Sequence, residues 1–383
     1  MLRRLTLALI ALSFVAAAAA CSSSTTSLNG GLGIGPNFPT GTLYAANSTQ
    51  NAVQIYSAPF KSGMPASYQI GGGTTQLNGP QYLAFDSAGN LWVTDDNSAT
   101  GQTGLLIFQA LATGSVYPLN TLSFNGQPRG IAFSSPSPTA SPGTVQNVQN
   151  MAVAAFVPSS AAAYQVQLYS TAPGGPPGLV MAIGGPSTGI NTPTGVAYAP
   201  TGQIYVANSG GASVESFVTP SPSPVPSSTP SPAPTPTPTA VPSGSPTATP
   251  SPSPTPSPAL NLSPATVIAG SQTGLVDPTG IALDATGNIY VADAGNQAMG
   301  IAPSIRVFAA GANGNVVPMR VIAGSNTGLE LPTDIKLDGK MNMYVADSGA
   351  DAIFEFTAGA NGNVAPIVKI AISGNIVGIG LSP

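Results

Sequence analysis

"PTGIALDATGNIYVADAGN", Pro278 to Asn296, decides the architecture. An apolar run from Ile281 to Leu283 is followed by turn chemistry from Asp284 to Asn288, a second apolar run from Ile289 to Ala292, and a closing Asp293. Two short runs of this kind around an Asp-to-Asn turn read as a β-hairpin, with Gly287 free to take φ > 0. The apolar positions are consecutive rather than alternating, as expected of strands covered on both faces. Pro278 suits the first residue of a strand, where a missing N–H costs nothing.

The unit repeats. It returns as "PTDIKLDGKMNMYVADSGA" from Pro332, "PTGVAYAPTGQIYVANSGG" from Pro193 and "PQYLAFDSAGNLWVTDDNS" from Pro80, and in degraded form at Pro128. Weaker strands follow each copy, as in "SIRVFAAGANGNVVPMRVIAG" and "AIFEFTAGANGNVAPIVKIAI". Four strands per unit at a spacing of roughly 50 residues is the pattern of a propeller blade. The second strands centre on Tyr44, Trp92, Ala152, Tyr205, Tyr290 and Tyr344, which predicts six blades. The first copy lacks its leading strand, and the C-terminal "IVGIGLSP", Ile376 to Pro383, has its pattern. The expected fold is therefore all-β: a six-bladed β-propeller of four-stranded antiparallel blades, closed by the C-terminal strand completing blade 1.

The motif P-x-G-[IV]-A-[LFY]-D…G-N-[IL]-[YW]-V-[AT]-[DN] resembles the NHL-repeat family of β-propellers, close in style to the streptogramin-lyase and senescence-marker groups. The likeness covers most of residues 40–383. It implies the fold; activity does not follow, because propellers host many unrelated functions.

Charged residues are 6% of the 383, against roughly 25% in an ordinary soluble domain, and the net charge of −4 becomes more negative once Arg3 and Arg4 are removed. No basic cluster exists to capture nucleic acid. "MLRRLTLALIALSFVAAAAACSSS" has a positive start, an apolar run too short for a bilayer span, then small residues. Residues 1–20 read as a signal peptide. "AAAC" resembles a bacterial lipobox, with Ala18 where Leu is usual, so Cys21 is the expected lipidation site. Ordinary cleavage near Ala20, leaving a stray thiol, is the alternative. Residues 21–39 form a flexible tether, and residues 40–383 the propeller. Two insertions interrupt it. Residues 219–258, with Pro at nearly every second position among Ser and Thr, make an extended polyproline-II arm in place of an outer hairpin turn of blade 4. Residues 134–149 are a smaller insertion in blade 3. The arm is either a tolerated expansion or a spacer, glycosylation target or ligand for a proline-binding groove.

The chain has no histidine, which removes imidazole catalysis, Ser-His-Asp triads and His-ligated metals. No catalytic residue is assigned, and the protein is expected not to be an enzyme. Asp86, Asp284 and Asp338 end innermost strands, where Asp shapes the hairpin turn. A second set lies at the opposite strand ends: Asn47, Asp95, Asn208, Asp293 and Asp347 close second strands, while Gln81, Arg129, Thr194, Thr279 and Asp334 open innermost ones. Turn-capping suits each singly. Together they are the candidate ligand-binding mouth of the central channel, able to hold Ca²⁺ or Mg²⁺ through oxygen ligands or a neutral polar molecule such as a glycan. No cofactor is otherwise implied. The sequence points to a monomeric, exported lipoprotein on the periplasmic or outer cell surface, meeting the membrane through its anchor alone. It serves as a binding or scaffold module for an envelope protein or glycan. The alternative is a divalent-metal-dependent lyase or lactonase using a carboxylate ring at the channel.

Overall fold

The computed structural model describes residues 41–97, 102–124, 126–135, 137–138, 147–158, 160–171, 177–219 and 259–383. The predicted signal segment, the predicted tether with Cys21, and residues 220–258 of the proline-rich insertion lie outside them. Six antiparallel sheets follow one another, each with its strands in order from the innermost outward. Blade 2 is Pro80–Phe85, Leu91–Asn97, Gln102–Phe108 and Asn120–Ser123. Blade 3 is Gln127–Phe133, Asn147–Phe156, Tyr164–Thr171 and Gly178–Gly184. Blade 4 is Pro193–Tyr198, Ile204–Asn208, Ser213–Phe217 and Thr266–Ile268. Blade 5 is Pro278–Leu283, Ile289–Asp293, Ser304–Phe308 and Arg320–Ala323, and blade 6 is Pro332–Leu337, Met343–Asp347, Ala352–Phe356 and Val368–Ala371.

Blade 1 takes its innermost strand, Ile376–Leu381, from the far end of the chain and continues with Leu43–Asn47, Ala52–Tyr56 and Tyr68–Gly71. Leu43 pairs with Leu381, Tyr44 with Gly380 and Ala45 with Ile379. Gly41 and Ser382 extend the ladder by backbone bonds. The ring is thus six-bladed and shut by the C-terminal strand.

The core lies between blades. Along Ile289–Ala292, Ile289 and Val291 pack with Ala207 and Val214 of blade 4, whereas Tyr290 and Ala292 pack with Ile335 and Val345 of blade 6. Every second side chain faces one neighbour and the rest face the other, which is why the strand is apolar throughout. Apolar clusters fill all six junctions, the one between blades 6 and 1 uniting Tyr344 and Ile353 with Leu43 and Ile379. The outer turns add a clasp: Gly314 of blade 5 donates to Val267 of blade 4, and Gly362 of blade 6 to Val321 of blade 5. Leu260, just past the proline-rich insertion, makes the same bond to Ala182 of blade 3.

The smaller insertion departs from a plain loop. Ser137–Pro138 pairs with Asn147 and Val148, so the second strand of blade 3 begins inside the predicted 134–149 and lengthens the hairpin. The innermost hairpins of blades 2 to 6 mark one face of the disc, here the turn face. The opposite, entrance face carries the prolines that open innermost strands.

Candidate functional site

The residues predicted to ring a channel mouth lie on the entrance face, and the structure employs most of them internally. Asn47, Asp95, Asn208, Asp293 and Asp347 are all buried. The Asp95 carboxylate accepts the Asn78 N–H at 3.0 Å, and Asn208 Oδ1 accepts that of Asn191 at 2.7 Å. Asp293 accepts from Val276 at 2.8 Å, and Asp347 from Glu330 and Leu331 at 2.9 Å. Asn47 accepts from Gln50 and donates to Ser373 O, both at 3.0 Å. Each clamps the loop leading into its blade's innermost strand. Thr194 and Thr279 hydroxyls donate across to Pro278 O and Pro332 O of the next blade, at 3.0 and 2.7 Å. Gln81 donates to Gly79 O at 3.2 Å, and Arg129 forms no ion pair among the described residues.

Asp334 sits one place further along than the other innermost-strand residues. Thr333 follows Pro332 as Thr279 follows Pro278, so Asp334 stands where blades 5, 4 and 3 have Gly280, Gly195 and Gly130. Those glycines let neighbouring backbones touch. A Cβ on Gly280 would lie 2.6 Å from Asp334 Cα, and one on Gly130 would lie 2.8 Å from Gly195 Cα. Neighbouring innermost strands therefore approach closely at this end. Among the described residues no three Asp, Glu, His or Cys side chains converge to hold a metal ion.

Burial of these clamps has a pH consequence. Burial pushes Asp95 up to about 6, against hydrogen bonding from Asn78. Glu215, buried beneath the entrance face of blade 4, is pushed up to about 7, opposed by hydrogen bonds from Ser213 and Asn208. A carboxyl whose folded pKa exceeds its unfolded one stabilises fully below the unfolded value, and that contribution is lost as pH rises through the folded one. Thermal melts should therefore show the midpoint falling between about pH 4 and pH 7 and levelling off above that. Glu215→Gln should flatten the trend, the lost contribution being roughly 3 kcal/mol for this group. An unchanged slope in that variant would refute the assignment.

The open end is on the turn face. A cavity of about 580 Å³ is walled there by Leu83, Ile131, Val196, Ile281, Leu337 and Leu381, with Lys336 the one cation in its lining. At this register blades 1 to 5 carry Gly380, Ala84, Ala132, Ala197 and Ala282. The Lys336 ammonium donates to both Asp334 oxygens at 2.7 Å, and Asp334 also accepts the N–H of Ile379 on the closing strand at 3.0 Å. An ammonium has three donors, so one is left for the cavity.

A second cavity, about 870 Å³, opens along the seam between blades 6 and 1 and shares Leu337, Leu381 and Pro383 with the first. Phe60 meets Tyr344 edge to face at 5.5 Å. The Tyr344 hydroxyl lies between the Glu355 and Asp338 carboxylates; burial first, then those two charges, raise its pKa. Glu355 is also raised, by burial and then the Asp338 charge, against the Tyr344 hydrogen bond and Lys340. Opposite the second-strand aromatic, Glu355 replaces Ile55, Ile107, Leu168, Ser216 and Val307. Blade 6 therefore departs from the repeat at Asp334, Lys336 and Glu355, of which Lys336 lines the first cavity and Glu355 the second. Carboxylates that accept, an ammonium that donates and a phenyl face suit a hydroxyl-rich molecule. Lys336 and Glu355 were legible in a strict alignment of the copies, as the charged exceptions at apolar or small positions.

Residues 275–301 match the NHL repeat family. No curated protein matches the chain. Among solved structures, a Bacteroides caccae protein of unknown function is 10% identical over 90% of this chain and 99% of that one, with a TM-score of 0.53. A PQQ-bound aldose sugar dehydrogenase of Streptomyces coelicolor is 15% identical over 81% and 86%, at 0.43. A catalytically inactive virginiamycin B lyase of Staphylococcus aureus with quinupristin is 11% identical over 85% and 83%, at 0.41. At 10% identity the likeness to the Bacteroides caccae protein concerns the fold alone. The protein is a six-bladed β-propeller with an NHL repeat at residues 275–301.

Proposed function

We propose that the protein is an exported binding module, tethered to the bacterial envelope through Cys21, whose turn-face groove holds a glycan. One observation carries this reading: Lys336 and Glu355, charged where the other blades carry small or apolar residues, line two cavities that share Leu337, Leu381 and Pro383. A rigid disc with polar groups gathered at one groove presents a site without moving parts. The lyase or lactonase alternative requires carboxylates facing an open channel. The second-strand carboxylates instead accept backbone N–H groups.

A glycan array probed with the full chain tests the reading. Binding to a defined glycan set, unchanged by EDTA and weakened about tenfold or more by Lys336→Met or Phe60→Ala, is expected. No glycan binding, or binding indifferent to both substitutions, would remove it.

A further inference from the structure

Blade 5 holds a second anomaly, on the entrance face and away from the groove. Arg306 occupies a third-strand position that blades 2 and 6 fill with the buried core residues Leu106 and Phe354, and blades 1, 3 and 4 with Gln54, Gln167 and Glu215; blade 5 alone places a cation there. Its guanidinium lies over Gly274, with Cζ 2.7 Å from where a Cβ would stand, and lines a cavity of about 500 Å³ at the seam with blade 4. Buried Arg306 Nε has no hydrogen-bond partner, nor has the buried hydroxyl of Ser304, two residues away on the same face of the strand. Blade 4 meets the corresponding donors from within, although its own Glu215 Oε2 lacks a partner. There Asn208 and Ser213 both donate to Glu215 Oε1, at 2.8 and 2.7 Å. In blade 5 the corresponding trio is Asp293, Ser304 and Arg306. Asp293 is the carboxylate whose charge reaches Arg306, yet its oxygens are occupied by the N–H groups of Val276, Asp277 and Gly295.

Leaving buried donors unmet costs on the order of 1–3 kcal/mol each, and more for a charged group. A leucine at 306 would avoid that cost, as Leu106 does in blade 2. We infer that the seam between blades 4 and 5 is a binding site for an anionic oxygen group, a carboxylate or a phosphate, received by Arg306 with Ser304 behind it. Guanidinium geometry favours two parallel bonds to such a group.

Titration calorimetry and thermal melts of the full chain with acetate and with inorganic phosphate, at constant ionic strength, test the site. Saturable binding of at least one anion is expected, weakened about 10- to 100-fold by Arg306→Gln and less by Ser304→Ala. Acetate binding alone identifies a carboxylate ligand, and phosphate binding alone a phosphate. Arg306→Leu should melt higher than the parent in anion-free buffer and lose the anion response. Should Arg306→Leu fail to fold, Arg306→Gln and Ser304→Ala still decide. Absence of binding, or equal binding by parent and Arg306→Gln, overturns the inference. Lys336→Met should leave this binding intact, so failure here is distinct from failure of the glycan reading.

Discussion

Removing residues 376–383 should abolish cooperative folding. The deletion takes away the innermost strand of blade 1, with Ile376 and Ile379 fully buried, and uncovers Leu43, Ala45 and Tyr344 of the same junction. Each large apolar side chain so exposed forfeits about 1.5–3 kcal/mol, and several together match the 5–15 kcal/mol by which a domain is ordinarily stable. The ladder from Leu43↔Leu381 to Asn47↔Ile376 would also be left as an open edge, prone to pairing with other chains. Circular dichroism should show no sharp melt, and light scattering should show association. A truncated chain that melts cooperatively near the parent temperature would mean the wheel closes some other way.

Asp334→Ala should be the most damaging single substitution in the channel. It strands the Lys336 ammonium, whose side chain is 27% exposed, and leaves the Ile379 N–H without its acceptor. Breaking a buried pair from one side typically costs about 3–5 kcal/mol. Replacing both partners by what blade 5 carries at these positions, as in D334G/K336A, should recover most of that loss, because removing both charges removes the desolvation penalty as well. Denaturant melts of Asp334→Gly, Lys336→Ala and the double variant D334G/K336A close the cycle. If Asp334→Ala and D334G/K336A prove equally unstable, the pair's coupling is not what holds this part of the ring.

The wheel was legible because the copies repeat one demand: in blades 2 to 6 a proline-led strand comes first and a strand covered on both sides follows it, and in blades 2, 5 and 6 an Asp-to-Asn hairpin joins the two. A missing first strand near Tyr44 and a spare one at Ile376 then fix the closure, and Leu43↔Leu381 bears this out. The open end was not legible. Polar residues gather at the entrance-face strand ends, and nothing in a linear pattern tells a residue clamping its own loop from one facing a ligand. Asp293 and Asp347 have the composition of a cation site but face backbone N–H groups. Crowding by Gly130, Gly195 and Gly280 depends on the tilt of neighbouring blades, which single-strand periodicity does not contain. Asp334 was displaced by one register because its neighbour Thr333 holds the place of Thr279, and a one-residue slip in a strand turns a side chain to the other face.

On the proposed function, blade 6's charged exceptions serve recognition beyond their contribution to the ring. Titration of the strongest array ligand into D334G/K336A tests it most directly. The expected result is a cooperatively folded propeller whose affinity has fallen about tenfold or more. Undiminished affinity in that folded variant would contradict the account.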